Sequence, residues 1–198
     1  MSEIFEVLTK QFGGEVLDSI SQQVGLDKSQ AGSILSSALP ILVGAMARNT
    51  SQQGGAESLL GALQNDHDGS ILDDLGGFLQ NSQSGPGAGI LKHVLGSRRA
   101  PVENALSKQT GVDSASIGNL LEIAAPILMG MLGKKQRESN LDAGGISDIL
   151  STGARQMSSE APESEGLLGS LLDQDNDGDI KDDVARIGFD LLGKFLRK

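Results

Sequence analysis

Residues 20–49 read ISQQVGLDKSQAGSILSSALPILVGAMARN, and residues 106–135 read LSKQTGVDSASIGNLLEIAAPILMGMLGKK. An ungapped shift of 86 positions aligns the two with eleven identities in thirty: Ser21, Gln23, Gly25, Asp27, Gly32, Leu35, Ala38, Pro40, Ile41, Leu42 and Gly44 all recur. This internal duplication organises the chain. Each copy predicts a short helix ended by Gly25 or Gly111, where a left-handed backbone carries no Cβ penalty. Asp27 or Asp113 then caps a second helix, and Gln30 stands where a capping box needs it. That helix meets Pro40 or Pro126 in mid-pattern, loses one backbone hydrogen bond, and is expected to kink or divide there. Gly44 and Gly130 leave room for another helix to approach closely.

Outside the copies the apolar spacing is also helical. Ile4, Phe5, Val7, Leu8 and Phe12 form one stripe, Val16, Leu17, Ile20 and Val24 another, and Ile180, Val184, Ile187, Leu191 and Phe195 a third. No segment alternates with period two, so no strand is expected. Polar, glycine-rich linkers are expected at 49–55, 80–87, 134–145 and 157–165. The predicted fold is therefore all-α: a multihelical bundle of two tandem related repeats, 1–97 and 98–198, each with a Pro-kinked central helix. The repeats either share one core or pair their faces between chains.

Composition narrows the chemistry. The 198 residues include no Cys, Trp or Tyr, two His and 27 Gly, which excludes disulfide scaffolds, Cys-based zinc sites and thiol catalysis. Five Phe are the only aromatics, so Leu, Ile, Val, Met and Ala must build the core. Sixteen Lys and Arg against 26 Asp and Glu give a formal net charge of -10. Such a surface repels phosphate backbones, and no nucleic-acid partner is expected. The basic spots at Lys92, Arg98 and Arg99, at Lys134, Lys135 and Arg137, and at Arg197 and Lys198 read as helix-end and surface charges. Acids near the N-terminus oppose a secretory signal. The apolar stretches 38–47 and 123–132 are about half of what a bilayer requires, so no membrane span is predicted and a cytoplasmic location is expected.

One segment carries a candidate ion site. Residues 171–183 read LLDQDNDGDIKDD. The D-x-D-x-D-G-x-I spacing matches the opening of an EF-hand calcium loop. Asp173, Asp175 and Asp177 would offer side-chain oxygens and Asp179 its backbone carbonyl. Gly178 permits the turn and Ile180 anchors it. An EF-hand places a bidentate Glu at the twelfth position, and Val184 stands there instead. Asp182 and Asp183 are the available substitutes. Fewer fixed oxygens predict weak affinity, about 0.1–1 mM for Ca2+, with Mg2+ as the alternative occupant. The competing expectation is a solvated turn whose aspartates cap the following helix.

A reduced copy lies at 64–74, QNDHDGSILDD, where Asp66, Asp68, Gly69, Ile71, Asp73 and Asp74 align with 175, 177, 178, 180, 182 and 183. Its first ligand would be Gln64 or Asn65, so any ion here would bind more weakly than at 173–183. His67 alone does not specify a transition metal, and His93 is expected on a helix surface.

Gln23–Asp27, Ala38–Gly44, Asp68–Asp74 and Gly89–Gly96 together give the chain its resemblance to the bacterial family called domain of unknown function 937, in the YidB-like group of helical proteins. The resemblance implies an all-helical fold and no established activity.

Three function classes remain to compare. Gly85-Pro86-Gly87-Ala88-Gly89 ahead of a helix hints at a phosphate cradle but lacks the G-K-[ST] ending, and a Pro-Gly linker explains it better. The paired carboxylates fall in calcium-like spacing with no His, Cys or Ser companion arranged for base or nucleophile work, so no enzyme is expected. The corners at Gly25 and Gly111 have a helix-turn-helix outline, but neither following helix carries a base-reading set. The expected function is a non-enzymatic helical interaction or structural module, acting through a protein partner or self-association.

Overall fold

The computed structural model describes residues 12–82 and 85–160, and every regular element among them is helical. Helix α1 spans Gly14–Val24, α2 Lys28–Ser51, α3 Gly55–Asn65 and α4 Leu75–Gln80. Helix α5 spans Gly87–Leu95, α6 Arg99–Thr110, α7 Ser114–Ser139 and α8 Ala143–Glu160. Short 3-10 turns cover Ser70–Leu72 and Gly96–Arg98. The expected all-α class holds.

Both thirty-residue stretches take the same order of elements. Helices α1 and α6 end at Gly25 (φ 71°) and Gly111 (φ 73°), both left-handed. Asp27 accepts from the Gln30 backbone N–H at 2.8 Å while the Gln30 side chain accepts from the Asp27 N–H at 3.3 Å, which completes the capping box. Asp113 accepts from the Ser116 N–H at 2.9 Å. These hydrogen bonds favour the charged carboxylates and hold both below the usual aspartate range, the backbone donor at Gln30 or Ser116 contributing most.

Neither proline divides its helix. Helix α2 runs unbroken through Pro40 and α7 through Pro126. An interior proline costs about 3 kcal/mol, while each fully buried Leu or Ile contributes about 1.5–3 kcal/mol. Ile34, Ile41 and Leu42 flank Pro40, and Leu120, Leu121 and Ile127 flank Pro126, all fully buried. Packing on both sides outweighs the lost bond. The carbonyl that Pro126 leaves without its intrahelical donor is that of Glu122, and it lies against Gly87 at the start of α5.

The packing is reciprocal: α1 touches α7 as well as α2, and α6 touches α2 as well as α7. Helix α8 lies along α2, with Ser147 Oγ 3.3 Å from Thr50 Oγ. Helix α5 lies against α7. Arg99 in α6 pairs with Glu103 at 2.7 Å and with Glu122 of α7 at 2.6 Å, a half-buried clamp between the two helices. Buried residues from both sides of the 97/98 boundary, among them Leu42, Leu91, Leu106 and Ile127, belong to one hydrophobic cluster.

Two expected linkers are shorter than their composition suggests. Helix α2 continues to Ser51 and α7 to Ser139. In α7 the extra turns are held by tertiary contacts: Gln136 is buried and donates to the Leu141 carbonyl at 3.0 Å, and Arg137 pairs with Asp68. The segment expected as a linker from 157 is helical up to Glu160. As formed, α2 and α7 have 24 and 26 residues, long and apolar enough to cross a membrane by length and composition, with 72% and 78% of the most apolar stretch buried inside the bundle.

Removing both caps, Asp27→Ala with Asp113→Ala, tests this local logic. A depressed carboxylate stabilises the fold above its unfolded pKa and loses that contribution as pH falls through the folded value. The double variant is therefore expected to melt below the parent at pH 7. The gap should narrow as the pH falls below about 4, the ordinary aspartate value, and close further as the folded carboxylates protonate at lower pH. Thermal unfolding by circular dichroism across pH 3–7 reads both effects.

Candidate functional site: an acidic loop seated on α7

The six aspartates of the stronger predicted calcium loop, Asp173, Asp175, Asp177, Asp179, Asp182 and Asp183, lie outside the described residues. The C-terminal stripe from Ile180 does as well. Its reduced counterpart at 64–74 is fully described, and it shows what this kind of loop does in the fold.

The loop leaves α3 at Asp66, whose backbone N–H donates to the Ala62 carbonyl at 3.0 Å. It turns at Gly69 (φ 98°) and enters the Ser70–Leu72 turn. Asp68 uses both carboxylate oxygens. Oδ1 accepts from the Ser70 backbone N–H at 3.0 Å, and Oδ2 pairs with Arg137 of α7 at 3.0 Å. The Ser70 backbone and hydroxyl donors, with a smaller share from the Arg137 charge, hold the Asp68 carboxyl below its ordinary range. Asp74 caps α4 by accepting from the Gly77 N–H at 2.8 Å.

Three glycines set the depth of the loop. A Cβ at Gly133 would meet the His67 carbonyl and come within 3.2 Å of the Asp68 Cα. One at Gly69 would stand 2.8 Å from the Lys134 Cβ, and one at Gly130 would meet the Ile71 side chain. The loop backbone thus lies directly on the surface of α7, with Ile71 over Gly130. The His67 imidazole is half-buried, and burial, partly offset by the charge of Asp66, lowers its pKa, so it is neutral at pH 7.

The loop's carboxylates do not converge. Asp68 and Asp74 serve as a turn cap and a helix cap, and Asp66, Asp68, Asp73 and Asp74 form no cluster. No group of three or more His, Cys, Asp or Glu side chains that would hold a metal occurs among the described residues. No ligand set for an ion is assembled at 64–74, where Arg137 supplies the counter-charge to Asp68. The spacing D-x-D-G-x-I alone does not reveal a cation supplied by a distant helix.

The other candidates also find positions. Gly87 is buried against the Glu122 carbonyl, so the glycine ahead of α5 serves close helix packing. His93 is exposed, with Nδ1 3.1 Å from the Gly89 carbonyl. In both helix-turn-helix corners the second helix, α2 or α7, is a core element. One feature had no sequence signal: a cavity of about 160 Å³ between the ends of α2 and α5, lined by Arg48, Asn49, His93 and Arg98 among others. The Asn49 side-chain amide lies 3.1 Å from the His93 and Val94 carbonyls and bonds the two helix ends together.

These features define a class: an all-α bundle around two proline-bearing helices, with an acidic loop seated on small residues of one of them. The chain belongs to the family described as bacterial protein of unknown function (DUF937), whose model matches residues 6–135, a span containing both thirty-residue stretches and the seated loop. No curated protein and no solved structure matches the chain.

Two glycine substitutions separate seating from ordinary helix propensity. Gly133→Ala drives a methyl into the His67 backbone and is expected to cost about 1–3 kcal/mol of unfolding free energy. Gly61→Ala, inside α3 with open space at its Cβ, is expected to stabilise by about 0.5–1 kcal/mol. Urea denaturation of both variants beside the parent checks the sign of each.

Proposed function

We propose that this protein is a non-enzymatic helical interaction or structural module, located in the cytoplasm, whose two acidic loops pin the chain onto the long core helices. Its partner is another protein or a second copy of itself. In the first loop the pin is the Asp68–Arg137 pair, and in the second it is a divalent cation, Ca2+ or in its place Mg2+, held by Asp173, Asp175, Asp177 and the Asp179 carbonyl with Asp182 or Asp183.

The observation that carries this reading is the first loop itself. Asp68, Gly69 and Ile71 recur as Asp177, Gly178 and Ile180, so the same turn is open to the second loop. The difference is charge. Asp173, Asp175, Asp177 and Asp179 fall within seven residues, and the position matching Arg137 in the other long helix is Ser51. Four carboxylates so close repel one another until a cation offsets them, and alternate oxygens suit a hard divalent ion. The ion would then do for the second loop what a guanidinium does for the first.

Two further observations support a structural role. The acids at Asp27, Asp68, Asp74 and Asp113 are engaged in caps and pairs. The helix-turn-helix corners turn the apolar faces of their second helices into the core, which fits a packing corner.

Thermal melts with Ca2+, Mg2+ or chelator test the ion. At a hundred times the dissociation constant, Ca2+ is expected to add about 2.7 kcal/mol to the stability of the parent. It should add nothing to the Asp175→Ala, Asp177→Ala double variant. An equal rise in both proteins would remove the loop from the account.

A further inference from the structure

We infer that the face of α2 from Gly44 to Ser51 is a docking seat for the chain's own acidic segment, residues 173–180, and that this segment lies there as the 67–71 loop lies on α7. The inference concerns the seat and not the ion, so it stands whether or not the second loop binds Ca2+.

The first argument is the register of the duplication. The first loop meets α7 at Gly130, Gly133, Lys134 and Arg137. The shift of 86 places Gly44, Ala47, Arg48 and Ser51 at those positions in α2. Gly44 is buried, Ala47 and Arg48 are half-buried, and Ser51 is exposed. Gly44 would take Ile180 as Gly130 takes Ile71. Ala47 carries a methyl where Gly133 has none, so the second loop would ride farther from its helix there. The reciprocal contacts of α1 with α7 and α6 with α2 already show each half's short helix crossing to the other half's long one. A loop from the second half on the long helix of the first continues that exchange.

The second argument is charge. The cavity beside the seat is flanked by Arg48 and Arg98. The segment 173–183 holds six aspartates and one lysine. The cavity brings two guanidiniums to one concave surface, and the segment is the chain's densest run of carboxylates.

The third argument is reach. Helix α8 lies along α2 and ends at Glu160. Residues 161–172, extended, span up to about 40 Å. The 24 residues of α2 are about 36 Å long. The connecting segment therefore reaches the seat from any point along the helix, and the occupant is the same chain.

The absence of cysteine gives a clean background for the test. In the full chain, Ala47→Cys is combined with Asn176→Cys, the counterparts of Gly133 and His67, and treated with a short bismaleimide at micromolar protein concentration. The control pair is Ser29→Cys with Asn176→Cys, about 27 Å away along the helix. Both variants must first reproduce the parent's circular dichroism. Intramolecular cross-linking of the 47/176 pair at least five times faster than the control, located by mass spectrometry, is the expected result. Equal rates for the two pairs would overturn the proposal, and so would cross-links that join only separate chains. Repeating the reaction with chelator and with Ca2+ separates seat from ion: a fast 47/176 reaction in chelator supports the seat even where no Ca2+ binding is found.

Discussion

Everything in this bundle depends on burying two long helices that each carry a proline at their centre. A proline in mid-helix removes a hydrogen bond and crowds the preceding turn, so α2 and α7 hold together because their surroundings hold them. The residues on either side of Pro40 and Pro126 are among the most deeply buried in the molecule. The short helices α1 and α6 do not stay with their own long helix alone but also touch the other. Each long helix is therefore completed by material from both halves of the chain. Small residues make this possible without large aromatics: Gly87, Gly130 and Gly133 let backbone approach backbone, and the aliphatic core closes around them.

The acidity of the protein is organised and not merely spread over its surface. Asp27 and Asp113 start the long helices, Asp74 starts α4, and Asp68 joins a loop to the cationic end of α7. Each of these carboxylates faces either unpaired backbone N–H groups or a guanidinium, which is where negative charge stabilises a helical protein. Arg137 in the last turn of α7 complements its dipole and pairs with the loop, while Lys134 lies beneath Gly69. One feature thus ends a helix and docks a loop together.

Much of the local structure was legible in the residues. Glycine followed two positions later by aspartate gave both corners correctly, because αL geometry and side-chain capping are decided within a few residues. The all-α class followed from 3.6-residue spacing. What was not legible depends on distant partners. The turns from Lys134 to Ser139 look like linker by composition, yet Gln136 and Arg137 find tertiary partners that extend the helix. Prolines 40 and 126 predict a kink or a division, and with burial on both sides neither helix is divided. At the site, Asp68-Gly69 announced a turn, but nothing near it in the chain revealed that Arg137 would balance the charge. Gly130 did signal close approach, but of another helix, whereas the segment that lies there is the 67–71 loop, and Gly133 gave no such signal.

The central claim is that α2 and α7 form one mutually completed core and not two separate bundles. Residue-resolved native-state hydrogen exchange tests it most directly. Amides of Leu39–Met46 and Ile123–Leu132 are predicted to exchange only through global unfolding, with the same opening free energy and the same denaturant dependence. Slow exchange in one of these segments with a distinctly easier opening in the other would show that the halves unfold independently, and would contradict the account.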